Sequence, residues 1–364
     1  MRAFNSKQDQ IAELNQILAQ YNLGELVNFE LNQRGFVNTG FSIETERNGV
    51  RTKFFLRRYK PGIQEEELIF EHNLINHLSQ QTTLPVARLH RTVNGSTYYQ
   101  HRQKNNDPST YFYAIFDHLT GEDRFTWVNP HCNQSEIISA ARTLAQFHSA
   151  VTTLKPKGKR YEPGILDLLK LLASTVVQCI EHPKNTLFDD YLSNSQDAIL
   201  QNIQDILTTL QTPYAQQMPQ IVIHCDFHPG NLKFQGETVS GLFDFDWSKI
   251  DYRSFDLGLA IWYFFAKWED KQDGQIRMED ARIFLEEYQK TTQKLPGIGH
   301  LTPTERMYLP EMTNAGNLYV LNWTILDYYN KNVDPIEYLK YLQHSVNSIR
   351  WYKESQYHHL TEGQ

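Results

Sequence analysis

The stretch 221–258, IVIHCDFHPGNLKFQGETVSGLFDFDWSKIDYRSFDLG, gathers side chains whose types and spacing can do chemistry. Ile221-Val222-Ile223 predicts an apolar strand that delivers His224-x-Asp226, and Asn231 follows five residues after that aspartate. Two short apolar strands flanking Gln235-Gly236 predict a hairpin that returns the chain through Leu242-Phe243 to Asp244. Two carboxylates and an amide on loops held by a hairpin suit phosphoryl transfer. Asp226 would orient and deprotonate an attacking hydroxyl, and Asn231 and Asp244 would supply hard oxygen ligands to Mg²⁺ bridging nucleotide phosphates. Magnesium keeps several waters and phosphate oxygens, so one or two protein oxygens are enough. A rival reading makes His224-x-Asp226-x-His228 the ligands of a hydrolytic metal. That reading finds no second histidine cluster and leaves Asn231 and Asp244 idle.

The elements that must position these residues fall into two regions. Residues 7–22 predict a helix, with Ser6 as its cap, Ile11, Leu14, Leu18 and Tyr21 on one face, and Gly24 as its stop. From about 26 to 60 the pattern is β: Phe41–Thr45 alternates, Asn48-Gly49 turns, and Lys53–Tyr59 returns. Pro61-Gly62 breaks the run, and Phe70, Leu74 and Leu78 then mark a helix over 63–79. Thr97–His101 and Tyr111–His118 read as two more strands. After 121 the chain turns mostly helical, over 135–150, 165–180 and 195–210 and in two proline-started helices near 303 and 335. The lysine-containing stretch 155–160 reads as a solvated turn. The fold class expected is α+β, with residues 1–117 a β-rich N-terminal lobe and 118–364 a larger helical C-terminal lobe.

Composition narrows the function. The 364 residues carry 35 Lys+Arg against 42 Asp+Glu, a net charge of −7. That balance argues against a broad nucleic-acid face, which needs a basic surplus. No apolar run approaches the ~18 residues of a membrane span, and the first ten residues lack an apolar signal core. A cytoplasmic protein without membrane or nucleic-acid partners is expected. Cys132, Cys179 and Cys225 are odd in number and far apart, which suits neither a disulfide framework nor a zinc site.

At His224, Asp226, Asn231, Asp244 and Asp256 the chain resembles the aminoglycoside phosphotransferase family, a branch of the protein-kinase-like fold. The family's pattern is His-Gly-Asp-x-x-x-x-Asn, a hairpin, Ile-Asp-Phe/Leu-Asp/Gly and a later Asp. The resemblance continues upstream over about residues 25–265. Gly35-Phe36-Val37-Asn38-Thr39 looks like the turn that covers the phosphates. Leu56-Arg57 falls where the ATP-binding lysine of the family's strand stands, and Glu71 lies on the helix bearing that lysine's carboxylate partner. Ala114–Gly121 resembles the hinge segment, and Leu144-Ala145-x-Phe147-His148 the helix after it. The resemblance implies a kinase using ATP and Mg²⁺ on a hydroxyl of a small metabolite. In it Asp226 is the base, Asn231 and Asp244 hold the metal, and Arg57 and Glu71 position the phosphates together with Gly35, Asn38 and Thr39. The backbone around Asp117 and Leu119 would meet the adenine edge. Within the family the chain looks most like homoserine-kinase-type members; choline, amino-sugar, methylthioribose and aminoglycoside kinases share the core. Gly-x-Gly-x-x-Gly is absent, and so are a Gly after Asp244-Phe245 and the protein kinases' Arg before the catalytic Asp; the last two absences point to a small-molecule kinase. The competing class is a nucleotide-binding pseudokinase, suggested by Arg57 in the lysine's place.

Other residues have plainer readings. His224 is expected to hold the loop by a backbone hydrogen bond, and His228-Pro229-Gly230 to shape it. Asp256 is expected to cap the next helix and brace the loop, and Cys225 to be an inert buried thiol. Asp246 and Asp251 read equally as metal ligands, cation contacts or surface carboxylates. The aromatic run with Trp247, Trp262, Tyr263, Phe264 and Phe265 reads as core, with the lining of a substrate pocket as its alternative. Alternation along the strand places Arg57 and Arg58 on opposite faces.

Overall fold

The computed structural model describes residues 7–32, 38–102 and 110–355. The chain forms two compact units. The first comprises residues 1–120 together with the short segments 155–160 and 241–246; the second comprises 121–154, 161–240 and 247–364.

In the first unit, helix α1 (Lys7–Leu18) precedes strands β1 (Glu25–Asn32), β2 (Thr39–Arg47) and β3 (Val50–Arg58). Helix α2 (Glu65–Gln81) and strands β4 (Tyr99–Arg102) and β5 (Thr110–Asp117) complete it. Its described residues form an antiparallel sheet in the order β1-β2-β3-β5-β4. The β2–β3 hairpin closes at Asn48-Gly49, both with positive φ (53° and 78°), the backbone that matches the right-handed twist of paired strands. α1 ends earlier than the apolar face suggests, and Asn22 (φ 53°) and Gly24 (φ 103°) turn the chain into β1. Tyr21 nonetheless stays buried, its hydroxyl donating to the Tyr113 carbonyl at 2.9 Å. The expected Ser6 cap lies outside the described residues.

The strand alternation decides where the two arginines go. Leu56 joins Phe41, Ile43, Phe54 and Tyr113 in the core that α1 covers with Leu14, Ile17 and Leu18. Arg58 shares that face: it lies 3.6 Å from Glu13 of α1 and over the Tyr111 ring. Arg57 points the other way, toward Glu71 of α2. The segment 155–160 is a solvated turn only in part. Lys155–Lys159 are exposed. Lys159 N–H, however, donates to the Glu66 carbonyl, and Gly158 sits so close to α2 that a Cβ there would come 2.2 Å from that oxygen. Arg160 is the exception to solvation, its side chain 6% exposed beside Glu67 and the Phe245 carbonyl.

The second unit holds α3 (Gln134–Val151), α4 (Ile165–Glu181), α5 (Leu187–Leu210), β6 (Gln220–Ile223) and β7 (Leu232–Gln235). Strand β8 (Thr238–Leu242) pairs with β7 and leads the chain into 241–246. β9 (Lys249–Tyr252), α6 (Arg253–Phe265), α7 (Met278–Thr292), α8 (Pro303–Asn330) and α9 (Pro335–Glu354) follow. β6, which delivers the His-x-Asp, pairs antiparallel with β9, an element the sequence pattern does not reveal. α6 is buried on every side. It crosses α8 at Gly258 and Gly316, where added Cβ atoms would come 2.7–2.8 Å from opposing backbone. Trp262, Phe264 and Phe265 are core, as expected. At the proline-started helices Thr302 and Glu305 form the full capping box. Asp334 caps by its own side chain, and Glu337 there accepts from the Tyr341 hydroxyl.

Candidate active site

Each unit carries its own cluster of polar groups, built on the residues singled out above. In the first unit the Arg57 guanidinium is almost buried and reaches two carboxylates, Glu71 at 3.1 Å and Asp244 at 3.0 Å. Glu71 is fully buried. Burial opposes charge on Arg57, but Asp244 and Glu71 outweigh it and hold the guanidinium charged far above its ordinary range. Asp244 itself is a third exposed and sits at φ 69°, a left-handed backbone that aspartate tolerates better than most residues. Leu242 N–H, anchored on the Pro85 carbonyl at 2.8 Å, fixes the approach to that turn.

Asp246 completes this cluster and is neither a surface group nor idle. Its Oδ2 accepts from Asn38 Nδ2 at 2.7 Å, and Asn38 Oδ1 in turn accepts from Lys60 N–H. Its Oδ1 is buried and has no hydrogen-bond partner. Burial and the neighbouring Asp244 charge push its carboxyl up to about 7. The sign follows from linkage. The folded state binds this proton more tightly than the unfolded chain, so the associated stability is present in acid and lost as pH rises through about 7. Asp246→Asn, which keeps an oxygen for Asn38, is expected to raise the melting temperature of the ligand-free protein at pH 8, with the gain vanishing toward pH 4. Each tenfold in the proton equilibrium is worth about 1.4 kcal/mol, so thermal melts at the two pH values resolve it. An equal shift at both would show that charge is not the cause.

Thr39 lies at the start of β2, where its hydroxyl accepts from Arg58 at 3.4 Å. Gly35 lies outside the described residues. Asp117 stands apart from the Arg57 cluster. Its carboxylate pairs with Arg88 and His90, and its backbone N–H donates to the Arg88 carbonyl at 2.9 Å. Leu119 follows in the irregular segment after β5.

In the second unit Asp226 and Asn231 come together. Asn231 Nδ2 donates to the Asp226 carbonyl at 2.9 Å and to its carboxylate Oδ2 at 2.8 Å. These two bonds hold the amide with its nitrogen toward Asp226. Burial, and after it the Asp226 charge, push the neighbouring Tyr263 hydroxyl well up, and His228 Nε2 lies 3.6 Å from Asp226 Oδ2. Burial would raise the Asp226 carboxyl, but the histidines and Asn231 outweigh it and hold it below the usual carboxylate range. Asp226 is thus a carboxylate near neutral pH, as a proton acceptor must be.

The loop that carries Asp226 is braced from beneath. Asp256, fully buried, accepts from the backbone N–H groups of His224 (2.9 Å) and Cys225 (2.7 Å) and contacts His148 Nε2 at 2.9 Å. His148 Nδ1 meets the Tyr288 hydroxyl at 2.7 Å. Asp256 braces the loop as expected but does not cap α6, whose N-cap is Tyr252. Cys225 is buried at φ 64°, and burial pushes its thiol well up, an inert group. Asp251 is buried and structural: it accepts from Ile165 N–H at the start of α4 and from Tyr252 N–H. Sequence reasoning missed His228 and Tyr263 as neighbours of Asp226, and Arg160 as a buried cation. The repeated spacing His224-x-Asp226-x-His228 was the available signal for the first of these.

A sequence model of the phosphotransferase enzyme family matches residues 28–291. Homoserine kinases of Afipia carboxidovorans and Parvibaculum lavamentivorans are 26% and 27% identical over 345 and 347 residues, covering 91% of this chain and 91% and 92% of theirs. Among solved structures, an amicoumacin kinase in complex with AMP-PNP and Ca²⁺ is similar at a TM-score of 0.67 and 14% identity, covering 98% of both chains. A microcompartment-associated aminopropanol kinase is similar at 0.62 and 13%, covering 96% of this chain and 100% of that one. Likeness at such low identity is likeness of fold, here the α+β, protein-kinase-like fold with a β-rich first part and a helical second part. The family match spans most of the chain and takes in Arg57, Glu71, Asp226, Asn231 and Asp244, and the protein belongs to the phosphotransferase enzyme family.

Proposed function

We propose that the protein is an ATP- and Mg²⁺-dependent kinase that phosphorylates the side-chain hydroxyl of homoserine. The observation that carries the reading is the Asp226–Asn231 pair, a carboxylate held ionised and bonded by the amide nitrogen of the residue five positions on. In the reaction the acceptor hydroxyl gives its proton to Asp226 and its oxygen bonds the γ-phosphorus. The bond from that phosphorus to the β–γ bridging oxygen breaks, and ADP leaves. Arg57, backed by Glu71, neutralises phosphate charge in the place of the family's lysine, and Asn38 and Thr39 line the phosphates. Residues 1–117 form the nucleotide-binding lobe and 118–364 the catalytic and acceptor-binding lobe. Since Asp117 N–H is already bonded to Arg88, the adenine edge takes the Asp117 carbonyl and the Leu119 N–H.

The donor set suits magnesium. Asn231 offers a neutral oxygen and Asp244 a carboxylate, and the buried Oδ1 of Asp246 has no hydrogen-bond partner. Among the described residues no group of three or more His, Cys, Asp and Glu is gathered to hold a metal alone, which fits a cation that takes most ligands from phosphates and water. Asn231 and Asp244 are the residues that would hold magnesium, which would supply charge neutralisation on the phosphates. Homoserine is favoured over other acceptors by relatives of that name aligned over nine-tenths of the chain. Among the described residues no helix is long and apolar enough to cross a membrane.

The experiment is ADP release by purified protein with Mg-ATP and a panel of L-homoserine, choline, ethanolamine, an amino sugar, methylthioribose and an aminoglycoside. Phosphohomoserine formation with homoserine alone is the expected result. Turnover with another acceptor would overturn the substrate, and Mg-ATP binding with no turnover on any would support the pseudokinase class instead.

A further inference from the structure

His228 is one of the buried groups that the mechanism above does not use. It lies two residues after Asp226, is 9% exposed, and heads the 3-10 turn Pro229–Asn231. Its two ring nitrogens face different partners. The Gly230 backbone N–H donates to Nδ1 at 3.0 Å. A nitrogen that accepts a hydrogen bond carries a lone pair, so in the neutral ring the proton is on Nε2. Nε2 is the atom 3.6 Å from Asp226 Oδ2. The ring's seat is built to keep this arrangement. The Tyr263 ring packs on it with centroids 5.0 Å apart, and position 230 has no room for a side chain, since a Cβ there would fall 2.8 Å from His228 Cε1.

From these contacts we infer that His228 is a positioning residue for phosphoryl transfer: a tautomer-locked N–H donor aimed at the carboxylate of Asp226. The inference rests on the phosphotransferase reading given above. A ring whose Nδ1 lone pair is engaged and whose Nε2 bears the proton cannot take the acceptor's proton. It can fix the carboxylate. Oδ2 already accepts from Asn231 Nδ2 at 2.8 Å, and the Nε2–H group, at 3.6 Å longer than a hydrogen bond in the ligand-free chain, is placed to tighten onto the same oxygen and hold the carboxylate plane when acceptor is bound. The plainer alternative is that His228 only shapes the loop through the Gly230 contact.

Two substitutions separate the roles, because each amide copies one ring nitrogen. His228→Gln places an amide nitrogen near the position of Nε2 and keeps the donor toward Asp226 while giving up the acceptor for Gly230. His228→Asn places an oxygen near Nδ1 and keeps the loop contact while giving up the donor. With Mg-ATP and L-homoserine, His228→Gln is expected within about threefold of wild-type kcat. His228→Asn is expected to lose about tenfold or more in kcat, the scale of one hydrogen bond to a charged group, with acceptor KM and ATP affinity nearly unchanged. Wild-type kcat in His228→Asn, or equal losses in the two variants, would overturn the donor role. If wild-type protein released no ADP from homoserine, the substrate reading would fail while this one stayed open to a measurement without turnover. Nitrogen-15 spectra of the His228 ring at pH 8.5 should then show a bare Nδ1 and a protonated Nε2 whose proton signal moves in Asp226→Asn. A proton on Nδ1, or an Nε2 signal indifferent to Asp226→Asn, would refute it.

Discussion

Asp226→Ala should abolish phosphoryl transfer while leaving nucleotide binding nearly intact. The loss expected in kcat is roughly a hundredfold or more, the range for a positioned general base. The substitution removes the carboxylate that Asn231, His228 and Tyr263 all face, and it leaves the loop's foundation in place. That foundation is the pair of backbone hydrogen bonds from His224 and Cys225 to Asp256, made two residues and one residue before Asp226 and independent of its side chain. Circular dichroism and melting of the variant should therefore stay close to wild type. Asp226→Asn is the sharper test, because the amide keeps the volume and can still accept from Asn231, yet cannot hold a proton. Calorimetric titration with Mg-ATP separates the outcomes. Full activity in either variant would remove Asp226 from the chemistry, and a parallel loss of ATP affinity would make it a nucleotide contact.

Much of this was legible in the sequence because the residues concerned are local in the chain. Asp226 and Asn231 lie in one loop, so spacing alone brought them together. The alternation of β3 sent Arg57 and Arg58 to opposite faces because a pleated strand allows nothing else. What the sequence hid were contacts set by tertiary packing. Asp246 read as well for a surface group as for a ligand; only the fold shows it buried against Asp244 and bonded by Asn38, 208 residues away. Asp256 looked like a helix cap because aspartates so often are. Its partners, His148 and the amides of residues 224 and 225, come from two other segments of the chain. Arg160 sat among lysines in a turn-like segment, and nothing local marked it as the one side chain of that turn to fold inward.

The Arg57 series should separate an active phosphotransferase from a nucleotide-binding relic, and it tests stability and activity at once. Arg57 is the cation between two carboxylates, one of them fully buried. Arg57→Ala leaves Glu71 charged and unpaired in the interior, a change that costs about 3–5 kcal/mol when one partner of a buried ion pair is removed. Arg57→Ala should therefore melt well below wild type, and adding Glu71→Gln should restore a large part of that loss by removing the stranded charge. Activity should not return with stability. In the double variant no cation neutralises the phosphates, and kcat/KM for ATP should remain reduced about tenfold or more, the scale of hydrogen bonds to charged groups. Arg57→Lys restores a point charge without the planar fork that serves both carboxylates, so it should recover part of each property. Arg58→Ala, on the opposite face with Glu13 and Tyr111, should leave kcat/KM unchanged and cost at most a small part of the stability. If the double variant regained wild-type kcat/KM along with its stability, Arg57 would be a structural counter-ion for Glu71 and Asp244, and the phosphates would have to be neutralised by some other cation.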